Sequence, residues 1–259
     1  MEVMTQGVAG DTASRPSTAA AALLSLESVT QQGLTDHGTP VTVLDGLSLA
    51  VAPGEFVAIS GERRSGKTTL LRVAAGMEPP QAGVVRVRGR RITGVSGGRR
   101  ARRARAVGYV PKRLRLADGK RVVDHLVLPL LAQRVAFAPA TARAHEALDR
   151  IGAMALANVA PSDLTAGQQV LVALAQALVA RPALLLADEP GATAEPDERA
   201  HLLRILRTLA RESTDLGLVV TTRDEIGRAG ATRVLTLSDG RLTGENSQGR
   251  VIPLPARAR

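Results

Sequence analysis

Eight consecutive residues constrain this chain more than any others. Gly61-Glu62-Arg63-Arg64-Ser65-Gly66-Lys67-Thr68 fits the pattern G-x-x-x-x-G-K-[ST]. An apolar run, Glu55–Ser60 (EFVAIS), precedes it, and Thr68–Ala75 reads as a helix after it. That order of strand, loop and helix is what the chemistry of the pattern needs. Backbone N–H groups of the loop and the positive end of the helix point at phosphate oxygens. Lys67 carries a cation to the β/γ-phosphates, and Thr68 offers a hydroxyl to Mg²⁺. Gly61, Glu62, Arg63, Arg64, Ser65, Gly66, Lys67, Thr68 and Thr69 are the expected phosphate-binding residues.

A second acidic site matches the loop. Leu184-Leu185-Leu186-Ala187-Asp188-Glu189 is an apolar strand that ends in two acids. Strand C-terminal ends face the ligand crevice of a doubly wound sheet. Asp188 is expected to hold Mg²⁺ through water, and Glu189 to accept a proton from the attacking water. Apolar runs at Ala183–Ala187 and Leu216–Thr221 read as buried parallel strands. Leu23–Val29 and Val41–Val51 read as strands around a polar loop, Gln31–Pro40, and Arg233–Thr243 reads as a hairpin on an Asp239-Gly240 turn. The pattern turns helical from Val122 to Asn158, with a break expected near Pro139. Leu164–Ala180 is a helix without a single charge, and Glu198–Glu212 an amphipathic one.

Composition narrows the function. Of 259 residues 44% are apolar, enough for a sizeable core, but Phe56, Tyr109 and Phe137 are the only Phe, Tyr or Trp residues. Base-stacking readers of RNA or single-stranded DNA need aromatic platforms, so no nucleic-acid partner is expected. The absence of Cys excludes disulfides and thiolate metal sites. Four scattered His residues, none at i, i+4 spacing, do not make a zinc site. The net charge of +10 sits in one place. Arg86 to Arg121 holds fourteen Lys or Arg against Asp118 alone. Such a patch is either a solvated face or a contact with anionic headgroups or an acidic partner. No run of about 18 apolar residues exists to span a membrane, and no signal peptide is evident.

Between the two acidic and basic sites lies Leu164-Thr165-Ala166-Gly167-Gln168-Gln169, followed by ALVARPALLLADEP at residues 177–190. With the phosphate loop, this arrangement resembles the ATP-binding subunit of ABC transporters, whose signature is LSGGQ followed by a helix and a strand ending in DEP. GEFVAISG and Val122–Leu131 (VVDHLVLPLL) resemble the subgroup that serves lipoprotein-release, macrolide-export and cell-division permeases. The resemblance implies an α/β fold: a P-loop NTPase core with a mostly parallel sheet, an N-terminal antiparallel β portion and an inserted helical subdomain at about residues 120–175. The cassette would span residues 23–244, with a disordered tail at 1–22 and a polar tail at 245–259. ATP and Mg²⁺ are the implied cofactors. Two cassettes, as a homodimer or a heterodimer, would meet head to tail. Thr165, Ala166, Gly167 and Gln168 would then contact the partner's ATP, Thr165 by its hydroxyl and Gly167 by its N–H. A membrane permease would hold the pair on the cytoplasmic face of the membrane.

Departures from the family pattern are equally specific. Arg64 stands where the loop usually has Gly. The aromatic that stacks on adenine is expected near Gly33, and no aromatic precedes Phe56. Lys112 replaces the glutamine that senses Mg²⁺ and water, and Arg223 replaces the histidine that contacts the γ-phosphate. Ala166 replaces a signature Gly, and Glu195 in GATAEP takes the place of the acid after DEP. These changes put hydrolysis rate at stake more than nucleotide binding. The rival readings are a degenerate nucleotide-binding or regulatory partner, and a soluble ABC protein of DNA repair or translation.

Overall fold

Strands that are apolar at every position need cover on both faces, and the fold is built around that requirement. The computed structural model describes residues 22–34, 38–92, 106–223, 225–245 and 251–252. Its elements in chain order are β1 (Leu24–Leu34), β2 (Pro40–Val51), β3 (Phe56–Ser60), α1 (Lys67–Ala74), β4 (Ala82–Val87), β5 (Arg90–Arg91), β6 (Val107–Val110), α2 (Val122–Leu131), α3 (Phe137–Asp149), α4 (Ala166–Leu178), β7 (Leu184–Ala187), α5 (Pro196–Glu212), β8 (Gly217–Thr222), α6 (Glu225–Arg228), β9 (Arg233–Ser238), β10 (Arg241–Glu245) and β11 (Val251–Ile252). Every residue of β3, β7 and β8 is buried. These strands sit inside a seven-stranded sheet of order β11-β10-β9-β3-β8-β7-β6. From β9 to β6 all neighbours are parallel, and the β9–β10 hairpin turns the edge antiparallel.

The two-residue period of the strands sorts their side chains into two cores. Leu185, Ala187, Leu218, Val220 and Phe56 pack with α2, α3, α4 and α5. Leu184, Leu186, Val219, Val57 and Ile59 pack with α1 and with a second, antiparallel sheet of order β2-β1-β4-β5. In α5 the apolar stripe Leu202, Leu203, Leu206 and Leu209 is buried, each side chain contributing about 1.5–3 kcal/mol of transfer free energy. The α/β architecture, with its antiparallel portion and its helices, is the one the sequence implies.

Local differences have local causes. Within the segment read as the polar loop Gln31–Pro40, residues 31–34 and Pro40 are strand, because β1 and β2 pair as far as Leu34 and Pro40. Its polar residues lie on a half-exposed ribbon, where alternation is weak. The helical break falls before Phe137, not at Pro139. Pro139 lies in the first turn of α3, where a missing N–H costs nothing. Ala22, assigned to the tail, is buried. At the other end Val251–Ile252 pairs with β10 rather than trailing away. Residues 93–105, the centre of the Arg-rich segment, lie outside the described residues, as does the tail before Ala22.

Candidate functional site

The phosphate loop hangs from the C-terminal end of β3. Gly66 precedes α1 at φ 97°, and a Cβ there would lie 2.9 Å from the carbonyl oxygen of Val43. Only glycine meets both demands. Arg64 lies at φ 66° in the left-handed region, which explains why a glycine suits that position. Lys67 is buried. Its Nζ donates to the carbonyls of Gly61 and Glu62, each at 2.7 Å, which curls the loop around the ammonium.

Two carboxylates reach the loop from the end of β7. Thr68 Oγ1 donates to Asp188 Oδ2 at 2.8 Å. Thr221, fully buried at the end of β8, donates from Oγ1 to Asp188 Oδ1 at 2.9 Å and accepts from the N–H of Glu189 at 2.8 Å. Nothing in the sequence motifs singles out Thr221. The only signal is a hydroxyl in the otherwise apolar run Leu216–Val220 that leads to it. Glu189 follows at φ 41°, a left-handed conformation that turns its carboxylate back over the loop. Strain of this kind is characteristic of functional positions.

Around Glu189 the structure gathers three cations. Lys67 Nζ is 3.4 Å from Oε1, while Lys112 Nζ and Arg223 Nε lie 2.8 and 3.2 Å from Oε2. Burial raises the Glu189 carboxyl, but Lys112, Lys67 and Arg223 together outweigh it and hold the group below its ordinary range. Lys112 and Arg223, expected from the resemblance to stand at the sensor positions, are thus turned onto the carboxylate. A cleft of about 650 Å³ opens beside this cluster, lined by Gly33, Leu34, Val41, Val43, Arg63, Arg64, Gly66, Lys67, Thr68, Thr69, Lys112 and Glu189. Leu34 and Val41 are exposed aliphatics among its lining, next to Gly33, near which an aromatic is expected.

The donors suit Mg²⁺. Thr68 Oγ1 and Asp188 Oδ2 are hard oxygens 2.8 Å apart, and this ion takes one or two protein oxygens and fills its remaining positions with phosphate and water.

The signature residues belong to another region. Thr165 caps α4, accepting at Oγ1 from the N–H of Gln168, whose side chain returns a bond to the N–H of Thr165. Thr165 is exposed, Ala166 and Gln168 are half-buried and Gly167 is buried. None of the four lines the cleft at the phosphate loop.

The sequence profile of the family described as "ABC transporter" matches residues 44–192. This chain belongs to that family. As an ABC cassette it is 38% identical over 223 residues to the lipoprotein-releasing system ATP-binding protein LolD of Maricaulis maris, covering 85% of this chain and 96% of that one. It is 35% identical over 212 residues to the methionine import ATP-binding protein MetN of Rhizobium etli, covering 82% of this chain and 59% of the relative. The cassette therefore spans about three-fifths of the methionine import proteins it matches. Among solved structures, the dimeric bacterial ABC transporter cassette MJ0796 superposes with a TM-score of 0.76 at 26% identity, over 85% of this chain and 96% of that one. A dimeric post-hydrolysis form of MJ0796, bound to ADP and phosphate, gives 0.77 at 26% identity over 90% and 100%.

Proposed function

We propose that this cassette is the ATP-binding, ATP-hydrolysing subunit of an ABC transporter, and that it drives a membrane permease from the cytoplasmic face. The observation that carries the reading is the convergence of Lys67 and Thr68, from the start of α1, with Asp188 and Glu189, from the end of β7, beside one cleft. Lys67 supplies a charge-assisted contact to the β- and γ-phosphates, in exchange for its carbonyl partners. Thr68 and Asp188 would hold Mg²⁺, and the ion would supply positive charge against the phosphoryl group being transferred. Glu189 orients the attacking water and receives its proton. Its carboxylate is ionised at neutral pH because three cations surround it, and the same cations make it a weak base. Slow turnover follows.

A pair of cassettes closes head to tail in this reading, each signature segment facing the partner's nucleotide. The separation of Thr165–Gln168 from the cleft of their own chain supports it. So does the dimeric state of the similar MJ0796 cassette. Among the described residues no helix is long and apolar enough to cross a membrane; in this reading a permease subunit holds the cassette at the membrane.

Isothermal titration with ATP tests the site directly. Lys67→Ala is expected to weaken binding about tenfold to a hundredfold, the worth of one or two charge-assisted hydrogen bonds. Equal affinity in wild type and variant would remove Lys67 from the site.

A further inference from the structure

The two donors expected to meet the partner's nucleotide are engaged within this chain. Thr165 Oγ1 donates to Glu198 Oε1 at 2.5 Å, and the N–H of Gly167 donates to Glu198 Oε2 at 3.1 Å. Glu198 lies in the first turn of α5, where Oε2 also accepts from the N–H of Glu195 at 3.3 Å. The contact is close. A Cβ on Gly167 would fall 2.5 Å from Glu198 Cδ, so the carboxyl rests where only a glycine leaves room.

A capping role explains the bond to Glu195, since a carboxylate at the third helical position commonly bonds back to the capping residue. It does not explain the other two. A cap serves its own helix, whereas both oxygens of Glu198 reach the N-terminus of a different one, α4. A carboxylate and a phosphate present the same thing to such donors, paired anionic oxygens that accept short hydrogen bonds. The Thr165 hydroxyl first, then the N–H groups of Glu195 and Gly167, outweigh partial burial and hold the Glu198 carboxyl below the usual range, so it carries its charge at neutral pH.

We propose that Glu198 is a specificity-determining residue for cassette closure: its carboxylate occupies the anion position of the signature segment and yields only to a nucleotide that carries a γ-phosphate. The proposal rests on the head-to-tail closure described above. ADP offers no terminal phosphate to exchange for the carboxylate. Glu198 therefore raises the ATP concentration needed for closure and widens the margin between ATP and ADP.

The test uses the full chain carrying Glu189→Gln, which suppresses turnover, alone and combined with Glu198→Gln or Glu198→Ser. Sedimentation velocity follows the dimer fraction against ATP and against ADP, with circular dichroism melts on each protein. Glutamine keeps the side-chain volume, and serine keeps a hydroxyl in the first turn of α5, so at least one variant retains the cap. In both variants the ATP concentration for half-maximal dimer is expected to fall about tenfold, and ADP is expected to give dimer where the parent gives none. ATP affinity measured below the dimerising concentration should stay within twofold. A parent that dimerises with ATP, and folded variants that need as much ATP or more, would overturn the proposal and leave closure standing. If neither parent nor variants dimerise with ATP, closure itself is wrong and the proposal falls with it. Dimer in the variants alone would support it.

Discussion

Leu34 and Val41 show how a side chain can keep a site open while weakening one of its contacts. They line the cleft next to Gly33, near which the family resemblance leads one to expect an aromatic on the base; in that reading an aliphatic edge forgoes stacking worth about 1–3 kcal/mol. Leu34→Tyr is therefore expected to tighten ATP binding about fivefold to a hundredfold by calorimetry, with no change for inorganic triphosphate, which has no base. Thr221 works in the opposite sense, from inside. Its hydroxyl is the common partner of Asp188 Oδ1 and the Glu189 N–H, all within the protein. Thr221→Val keeps the shape and deletes the bonds, which should cost about 1–3 kcal/mol in urea unfolding and lower ATP affinity by loosening Asp188. That Lys67, Thr68, Asp188 and Glu189 come together was legible because each sits in a motif with fixed spacing. Thr221 was not, since its contact joins β8 to the end of β7 across 33 residues and has no local pattern. Nor did the sequence disclose where Lys112 and Arg223 would turn. Their departure from the family was plain, but their shared aim at Glu189 depends on three strand ends meeting.

Helix α2 carries Pro129 in its interior, which removes the N–H that would have bonded the carbonyl of His125. Gln176 from α4 donates its side-chain amide to that carbonyl at 3.4 Å. The charge-free helix thus keeps one amide in its buried stretch to repair the neighbour's ladder. Gln176→Leu should cost about 1 kcal/mol in thermal or urea unfolding. In a Pro129→Ala background, where the backbone supplies its own donor, the same change should be close to neutral. Equal costs in both backgrounds would show that Gln176 acts by packing alone. The strands β3, β7 and β8 and the helices α4 and α5 were legible in the sequence because burial on both faces, or on one stripe, leaves a clear hydrophobic period. Most of β1 and β2 was legible as well, as Leu23–Val29 and Val41–Val51, but the far end of their ribbon, residues 31–34 and Pro40, was not, since it is polar, and β11 is too short to leave a pattern. Glu195 and Glu198 cap α5 reciprocally, and only the position of the first was noted in the sequence.

At the scale of the whole molecule, two cores lie on opposite faces of one sheet, and the strand ends between them carry the site. The antiparallel sheet supplies the cleft wall through Gly33, Leu34, Val41 and Val43, and the helical side carries the signature segment on α4. That division puts the phosphate loop and Thr165–Gln168 on separate parts of the cassette, as the proposed closure of a pair requires. It also keeps two sets of contacts apart: Lys112 and Arg223 pair with Glu189, and Glu198 accepts from Thr165 at the start of α4. The measurement that tests the account most directly is steady-state phosphate release by the wild type, by Glu189→Gln and by Lys112→Gln with Arg223→His, each with calorimetric ATP affinity. Slow release is expected from the wild type. Glu189→Gln should lose at least about a hundredfold, the usual worth of a positioned base, with ATP affinity nearly intact, and the double replacement should release phosphate faster than the wild type. Release unchanged by Glu189→Gln, or none from the wild type at any ATP concentration, would contradict the account.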